Sequence, residues 1–538
     1  MTHIDSGPQL GAGAREESRA DTRHLIRASA VVTGLMLVAK AIGFAVQIAV
    51  AAVFGATRAM DAMRIALSIP QMFSSWIEMP VRAAIVPMFT RRLHEQSEAE
   101  AWRAASIVLN TVGLLLIVVV TVLWIAAEPL VRIMSLGFAD PQVWREGALL
   151  ARILVPSVLF SVLAVLLGSL QNIYRRQQYP ALGRVLNALA VLVAVMWLGE
   201  RYGLVGYAWG VLAGAVVSFA LQVSVVWRHR QHYRWIADPR AAEVREVVML
   251  AVPLFIGLTG TRIDVFIDQL LASFLPEGHL SILLYATILS VIVTDLLISV
   301  SSAVLLPHFG HLVAQSRFEE LRRRLRQAVA GYFVLMLPIV MVLVAGAVPV
   351  VQVVYGRGKF TPEDVALTAA LLPILALAAP IYAAGQVMAQ THISRGDTKT
   401  PMKIGLWRVG FKAALSLSLL PWLGIFALAI ASSVSSVFRT ALLWRLLPEQ
   451  LRPAPARLFG VITGPLVAAV AGGVVVFALF RTLVSFPGGD VGEVLRVVAI
   501  AAAGGLVYGL GALLVSREAR ELARWPVQRL VQRRVRRG

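Results

Sequence analysis

The sequence predicts an all-α polytopic membrane protein of about fourteen transmembrane helices, and three observations predict it. The set AVILMFWYC supplies 58% of the 538 residues, where soluble domains hold about 45–50% from a broader apolar set. Charged residues make up 15%, against about 25% in an ordinary globular chain. Apolar runs of about 20 residues recur, such as 107–127, which is the length needed to cross about 30 Å of hydrocarbon. A β-barrel strand would instead alternate apolar and polar residues over about 10 positions. A soluble enzyme, a disordered chain and a fibrous one are excluded. Cysteine is absent, which removes disulfides, thiolate metal sites and a cysteine nucleophile.

Residues 1–28 are polar, with four arginines and four acids. They lack the apolar core and cleavage site of a signal peptide and are expected to form a loose cytoplasmic tail. Apolar segments follow at 29–54, 62–90, 104–127, 147–172, 181–199 and 204–227, giving an N-lobe of six spans over 29–227. A basic linker, 228–245, leads to segments at 246–275, 280–308, 327–350, 364–391, 402–422 and 424–444, a C-lobe over 246–444. The division between the last two rests on Pro421–Gly424 alone. Two further spans, 458–483 and 492–515, fall in 445–515, and 516–538 is a basic tail. No loop is long enough for a domain with its own core. Residues 317–326, RFEELRRRLR, are expected to form a short amphipathic helix on the cytoplasmic surface.

Charge orients the spans. The two tails and the loops after even-numbered spans hold 34 of the 50 Lys and Arg residues, and the loops after odd-numbered spans hold about 8. By the positive-inside rule both termini are cytoplasmic. The net charge of +20 is thus mainly a topology signal, and no nucleic-acid partner is expected. An internal repeat accompanies this order. Phe54 and Pro87 close the first two spans, and Phe274 and Pro307 close the seventh and eighth, so a shift of 220 residues relates both pairs. The odd-to-odd spacing keeps membrane orientation and implies two parallel six-span units.

Intramembrane charges are expensive and usually face a cavity or a partner. They concentrate in four spans: Lys40 in the first; Asp61, Arg64, Glu78 and Arg82 in the second; Arg262, Asp264 and Asp268 in the seventh; Asp295 in the eighth. These nine are the candidate substrate-binding residues of a hydrated cavity where the two bundles face each other. Asp264 and Asp268 share a helix face, as do Glu78 and Arg82, which can pair with each other. Arg408 and Lys412 in span eleven also lie one turn apart. Arginine and lysine suit an anionic head group, Arg offering a bidentate fork to phosphate. The carboxylates can bind a coupling cation or balance the field. The bland alternatives are a Glu78–Arg82 structural ion pair and a water-facing helix-end role for Asp61. No HExxH, Walker A or GxSxG motif is present, so neither an enzyme nor an ATP-driven pump is expected.

Several stretches resemble one family. Lys40-Ala41-Ile42-Gly43-Phe44, Val53-Phe54-Gly55-Ala56, Met60-Asp61-Ala62, Leu271–Leu275 and Leu305–Pro307 are similar to segments of the MurJ (MviN) lipid II flippases. The most specific matches are Tyr355–Thr361, YGRGKFT, and Ser394–Lys403, SRGDTKTPMK. The resemblance covers about 29–515. It implies the MOP exporter fold, with two pseudo-symmetric six-helix lobes, two added C-terminal helices and a central cavity of alternating access. It implies a bacterial inner-membrane protein, expected as a monomer among membrane lipids and cell-wall synthesis proteins. The cargo would be an undecaprenyl-pyrophosphate-linked saccharide, with lipid II, the peptidoglycan precursor, as the default. It also implies Lys40, Asp61 and Asp268 as cavity residues, Asp268 being a candidate ligand for a coupling ion, Na+ or H+; no cofactor is expected. Family arginines fall on Val46, near Ser74 and Ser75, and on Ile288, and a family asparagine of a possible sodium site is not evident near Ser416 and Ser418. Arg64, Arg82 and Arg262 are candidate substitutes. An exopolysaccharide or O-unit flippase, a multidrug/cation antiporter and a non-transporting scaffold are the alternative readings.

Overall fold

The computed structural model describes residues 12–138, 140–483, 489–516 and 520. Among them there is no strand. Helices run in the order α1 (Ala12–Phe54), α2 (Arg58–Glu95), α3 (Glu98–Ile125), α4 (Ala127–Met134), α5 (Pro141–Leu154), α6 (Ser157–Ile173), α7 (Gln178–Val226), α8 (Ala242–Ala272), α9 (His279–Ala314), α10 (Phe318–Ala345), α11 (Ala347–Tyr355), α12 (Pro362–Ser394), α13 (Lys399–Leu423), α14 (Ile425–Arg445), α15 (Pro455–Thr482) and α16 (Gly489–Val515). Helix is forced on such segments because hydrocarbon offers no partner for a free backbone N–H or C=O.

The fourteen apolar segments lie on these helices, two of them on α7, 147–172 on α5 and α6 together, and 327–350 on α10 and the start of α11. Among the described residues, nine helical segments are long and apolar enough to cross a membrane. Four longer helices outside that set, α2, α8, α9 and α13, carry Asp61 to Arg82, Asp264 and Asp268, Asp295, and Arg408 and Lys412. α1 begins at Ala12, well ahead of residue 29. The stretch 317–326 is not a separate surface helix. Arg317 precedes the first residue of α10, which continues unbroken to Ala345, because nothing between Arg326 and Ala328 interrupts helix propensity. Its charges are spent on local pairs, Arg322–Glu319 at 2.6 Å and Arg324–Glu320 at 3.6 Å. The basic tail 516–538 lies outside the described residues, apart from Ser516 and Arg520.

The 220-residue repeat recurs in the helix boundaries. α3 starts at Glu98 and α10 at Phe318; α4 starts at Ala127 and α11 at Ala347. A turn recurs within one residue of the same shift. Gly203 interrupts α7 with φ 60° and ψ −141°, and Gly424 separates α13 from α14 with φ 52° and ψ −130°. Both conformations are open to glycine and disfavoured for residues with a Cβ. They let two apolar helices follow each other with a single residue between them, as the sequence suggested at Pro421–Gly424.

The chain forms two compact units. One comprises Met1–Val53, Ala66–Leu130 and Arg145–Ile256; the other comprises Phe54–Ile65, Val131–Trp144 and Gly257–Gly538. The repeat halves of the sequence are thus not the contact units: 54–65 and 131–144 belong with the later helices. The first unit has a core of α2, α3 and α6 residues including Phe89, Trp102 and Leu166. Trp102 Nε1 donates to Tyr174 Oη at 2.9 Å, which donates to Glu98 Oε1 at 2.9 Å, so the polar ends of both rings are satisfied. The second unit has one core around Phe309, Leu325, Tyr332, Val387 and Leu443. In another, α15 and α16 pack on α10 through Met341, Val476 and Tyr508.

The SRGDTKTPMK stretch closes α12 and starts α13. Asp397 Oδ1 accepts from the Thr400 N–H at 3.0 Å, and Asp397 Oδ2 lies 3.1 Å from Nδ1 of the buried His392. The other ring nitrogen of His392 is 3.2 Å from the Leu443 carbonyl of α14. Burial alone would raise the Asp397 pKa, but hydrogen bonds from Thr400 and His392 outweigh it and hold the carboxyl below the usual range. A depressed folded pKa stabilises above the unfolded value and loses that contribution as pH falls through the folded one. Asp397→Asn should therefore melt below wild type at pH 7, and the gap should narrow as pH falls below about 4. Thermal unfolding of detergent-solubilised protein across that range checks it.

Candidate functional site

Three charged groups stand out. The first joins α8 and α13. Arg408 Nη2 donates to Asp264 Oδ2 at 2.6 Å, and Lys412 Nζ lies 3.2 Å from Asp264 Oδ1 and 2.5 Å from Asp268 Oδ2. Each helix contributes two charges one turn apart, so two cations face two anions. Lys412 is buried, its side chain 4% exposed. The network is neutral, which is what makes four charges tolerable in a poorly solvated place. The carboxylates do not fit a free metal cation as they stand, because the Lys412 ammonium already lies against both.

The second group gathers at the start of α2. The Thr57 hydroxyl accepts from the Met60 N–H at 3.3 Å and caps the helix. Asp61, fully buried, turns away from its own helix. Its Oδ2 accepts from the Gly278 N–H at 2.7 Å, and its Oδ1 accepts from the N–H and hydroxyl of Ser281 at 2.8 and 2.6 Å. Asp61 thus serves as a carboxylate cap for the N-terminus of α9, where partial positive charge collects. Ser281 is the residue 220 positions after Asp61, its counterpart under the repeat. Contacts around this pair obey the same relation. The Gly137 N–H donates to Ser273 Oγ at 3.0 Å, and a Cβ on Gly55 would sit 2.5 Å from the Lys359 carbonyl oxygen. In each case the loop after the third span of one repeat meets the end of the first span of the other. Arg58 adds ion pairs to Asp140 at 2.5 Å and Glu277 at 3.0 Å. Arg64 stacks over Tyr285 at 4.9 Å, which clusters with Tyr355 and Phe360 of the YGRGKFT stretch. That motif is therefore packing against Gly55 and Tyr285.

The third group is in the first unit. Arg184 of α7 lies within electrostatic range of both Arg82 and Glu78 of α2. Among these three side chains two guanidiniums stand against one carboxylate, and both arginines are exposed.

The nine candidates are thus distributed among different environments. Asp264 and Asp268 share one network; Asp61 and Arg64 lie in the second group; Glu78 and Arg82 meet Arg184. Lys40 is exposed on α1 and makes no ion pair with a described residue. Asp295 is exposed on α9. The Arg262 side chain lies outside the described residues. Arg184, Ser281, Arg408 and Lys412 are functional candidates that the nine did not include. The i,i+4 spacing of Arg408 and Lys412 signalled the last two. Arg184 was counted as a loop cation, and only the repeat shift pointed to Ser281. Arg439 of α14 is held by Gln386 Oε1 at 2.8 Å and by the Tyr382 ring.

Residues 50–499 match the family model described as "Lipid II flippase MurJ". The chain belongs to that family. MurJ relatives align over most of this length. The chain is 26% identical over 514 residues to a probable lipid II flippase MurJ of Bdellovibrio bacteriovorus, covering 93% of this chain and 97% of the relative. It is 23% identical over 423 residues to that of Rickettsia prowazekii, covering 78% and 83%. Among solved structures, a lipid II flippase MurJ in an inward closed conformation superposes with a TM-score of 0.75 at 18% identity, covering 92% of this chain and 99% of that one. An inward-facing multidrug resistance MATE family transporter of the MOP superfamily gives 0.65 at 13% identity, covering 76% and 95%. At those identities the structures speak for the fold, which is that of the MOP transporters.

Proposed function

We propose that this chain is a lipid II flippase. It carries the undecaprenyl-pyrophosphate-linked peptidoglycan precursor from the cytoplasmic to the outer leaflet of the bacterial inner membrane, by alternating access, with both termini in the cytoplasm. The observation that carries this reading is the MurJ family match across residues 50–499. The 34-to-8 split of loop cations supports the orientation. The chemistry is transport: no covalent step is assigned to any residue.

A pyrophosphate brings about two negative charges into a poorly solvated path, where an unpaired ion is strongly disfavoured. Exposed cations therefore receive it. Among the described residues, Lys40, Arg82 and Arg184 are the exposed intramembrane cations of the first unit, and the last two together carry more charge than Glu78 beside them. Arg82→Ala and Arg184→Ala should each weaken binding of undecaprenyl pyrophosphate to purified protein by about tenfold, the scale of one charge-assisted hydrogen bond. Titration in detergent or nanodiscs reads this directly. Binding as tight as wild type in both variants would remove these arginines from cargo recognition.

The Asp61 carboxylate supports the cycle differently. Its three bonds hold the starts of α2 and α9 together. In this reading they form and break once per turnover.

A further inference from the structure

Asp264 and Asp268 lie one turn apart on α8, and two carboxylates at that spacing repel each other unless cations intervene. Arg408 satisfies the outer oxygen of Asp264 at 2.6 Å. The oxygens that face each other are met by a lysine, whose Nζ is 3.2 Å from Asp264 and 2.5 Å from Asp268. An ammonium is a compact point charge, the kind of object an alkali cation also is. With Lys412 the network has zero net charge; without it, one negative charge is left over. Oxygen acceptors remain to spare. Asp268 Oδ1 and Ser416 Oγ are buried and have no hydrogen-bond partner among the described residues. Ser416, fully buried, is one turn beyond Lys412 on α13.

We infer that Lys412 is a tethered cation occupying what would otherwise be a monovalent metal-ion site made by Asp264, Asp268 and Ser416. The wild-type chain binds no sodium there. Removing the ammonium opens a site of net charge −1 with several free oxygens, and an alkali ion fills it. A divalent ion would overshoot the charge and is not favoured. If the flippase reading holds, cargo movement by this chain does not draw on a sodium gradient at this site. That consequence rests on the proposed function; the binding claim does not.

The test is the melting midpoint of the full-length purified protein in sodium chloride against choline chloride at equal ionic strength. Wild type should melt at the same temperature in both salts. Lys412→Met, which keeps the unbranched stem without the terminal ammonium, should melt several degrees higher in sodium, saturating with sodium concentration. Lys412→Met with Asp268→Asn, which restores neutrality, should lose that difference. If Lys412→Met is too unstable to purify, recovery is the readout: monodisperse protein in sodium but not in choline supports the inference. Sodium stabilisation of wild type over choline overturns it. So does a Lys412→Met variant that behaves, or is lost, equally in both salts.

Discussion

Asp61→Ala is expected to unseat the start of α9. The substitution removes the acceptor of three buried hydrogen bonds, from the Gly278 N–H and from the N–H and hydroxyl of Ser281. Nothing replaces it, because Asp61 is fully buried and water has no access. Stranding donors that had bonded a carboxylate costs about 3 kcal/mol. A drop of that size is a large share of a protein's net stability. The purified variant should melt well below wild type, and activity should fall with it, since the same bonds tie α2 to α9. Asp61→Asn keeps one acceptor oxygen and should fall between the two. An Asp61→Ala variant that melts with wild type would show that the cap carries no weight.

The second large effect is expected where α8 meets α13. Asp264→Arg would set three cations, the new one with Arg408 and Lys412, against Asp268 alone. Breaking a buried pair in this way costs about 3–5 kcal/mol, enough to abolish accumulation of folded protein in the membrane. The exchange Asp264→Arg with Arg408→Asp returns the network to two cations and two anions and should recover most of the folded yield. Yield and monodispersity of the single and double variants, measured side by side, decide between a charge network and independent surface residues. Equal loss in both would show that position, not charge balance, matters.

Much of the fold could be read from the chain because its signals are local. Apolar runs of about 20 residues fall on helices, and the repeat at 220 residues reappears in the starts of α3 and α10 and, within one residue, in the turns at Gly203 and Gly424. The carboxylate pair of α8 was legible for the same reason, since helical spacing puts 264 and 268 on one face. Partner choice was not legible. Nothing local tells Asp61 to cap a helix more than two hundred residues away, or tells Asp268 that its cation is Lys412 and not a diffusing ion. Hydropathy also misplaced Arg184, because a cation three residues inside a span looks like a loop cation. The stretch 317–326 misled in the opposite direction. Its amphipathic pattern is real, but it is the polar entry of α10, and pattern alone does not say where a helix stops.

The most direct measurement concerns the cargo. The chain is expressed in a bacterium depleted of its own lipid II flippase, and the fraction of lipid II exposed at the outer leaflet is followed with an impermeant reagent. Wild type is expected to restore the exposed fraction to the level of the undepleted strain, with growth, whereas Arg82→Ala combined with Arg184→Ala, present in the membrane at equal amount, is not. Wild-type protein that is abundant and folded in that membrane while lipid II stays in the inner leaflet would contradict the assignment.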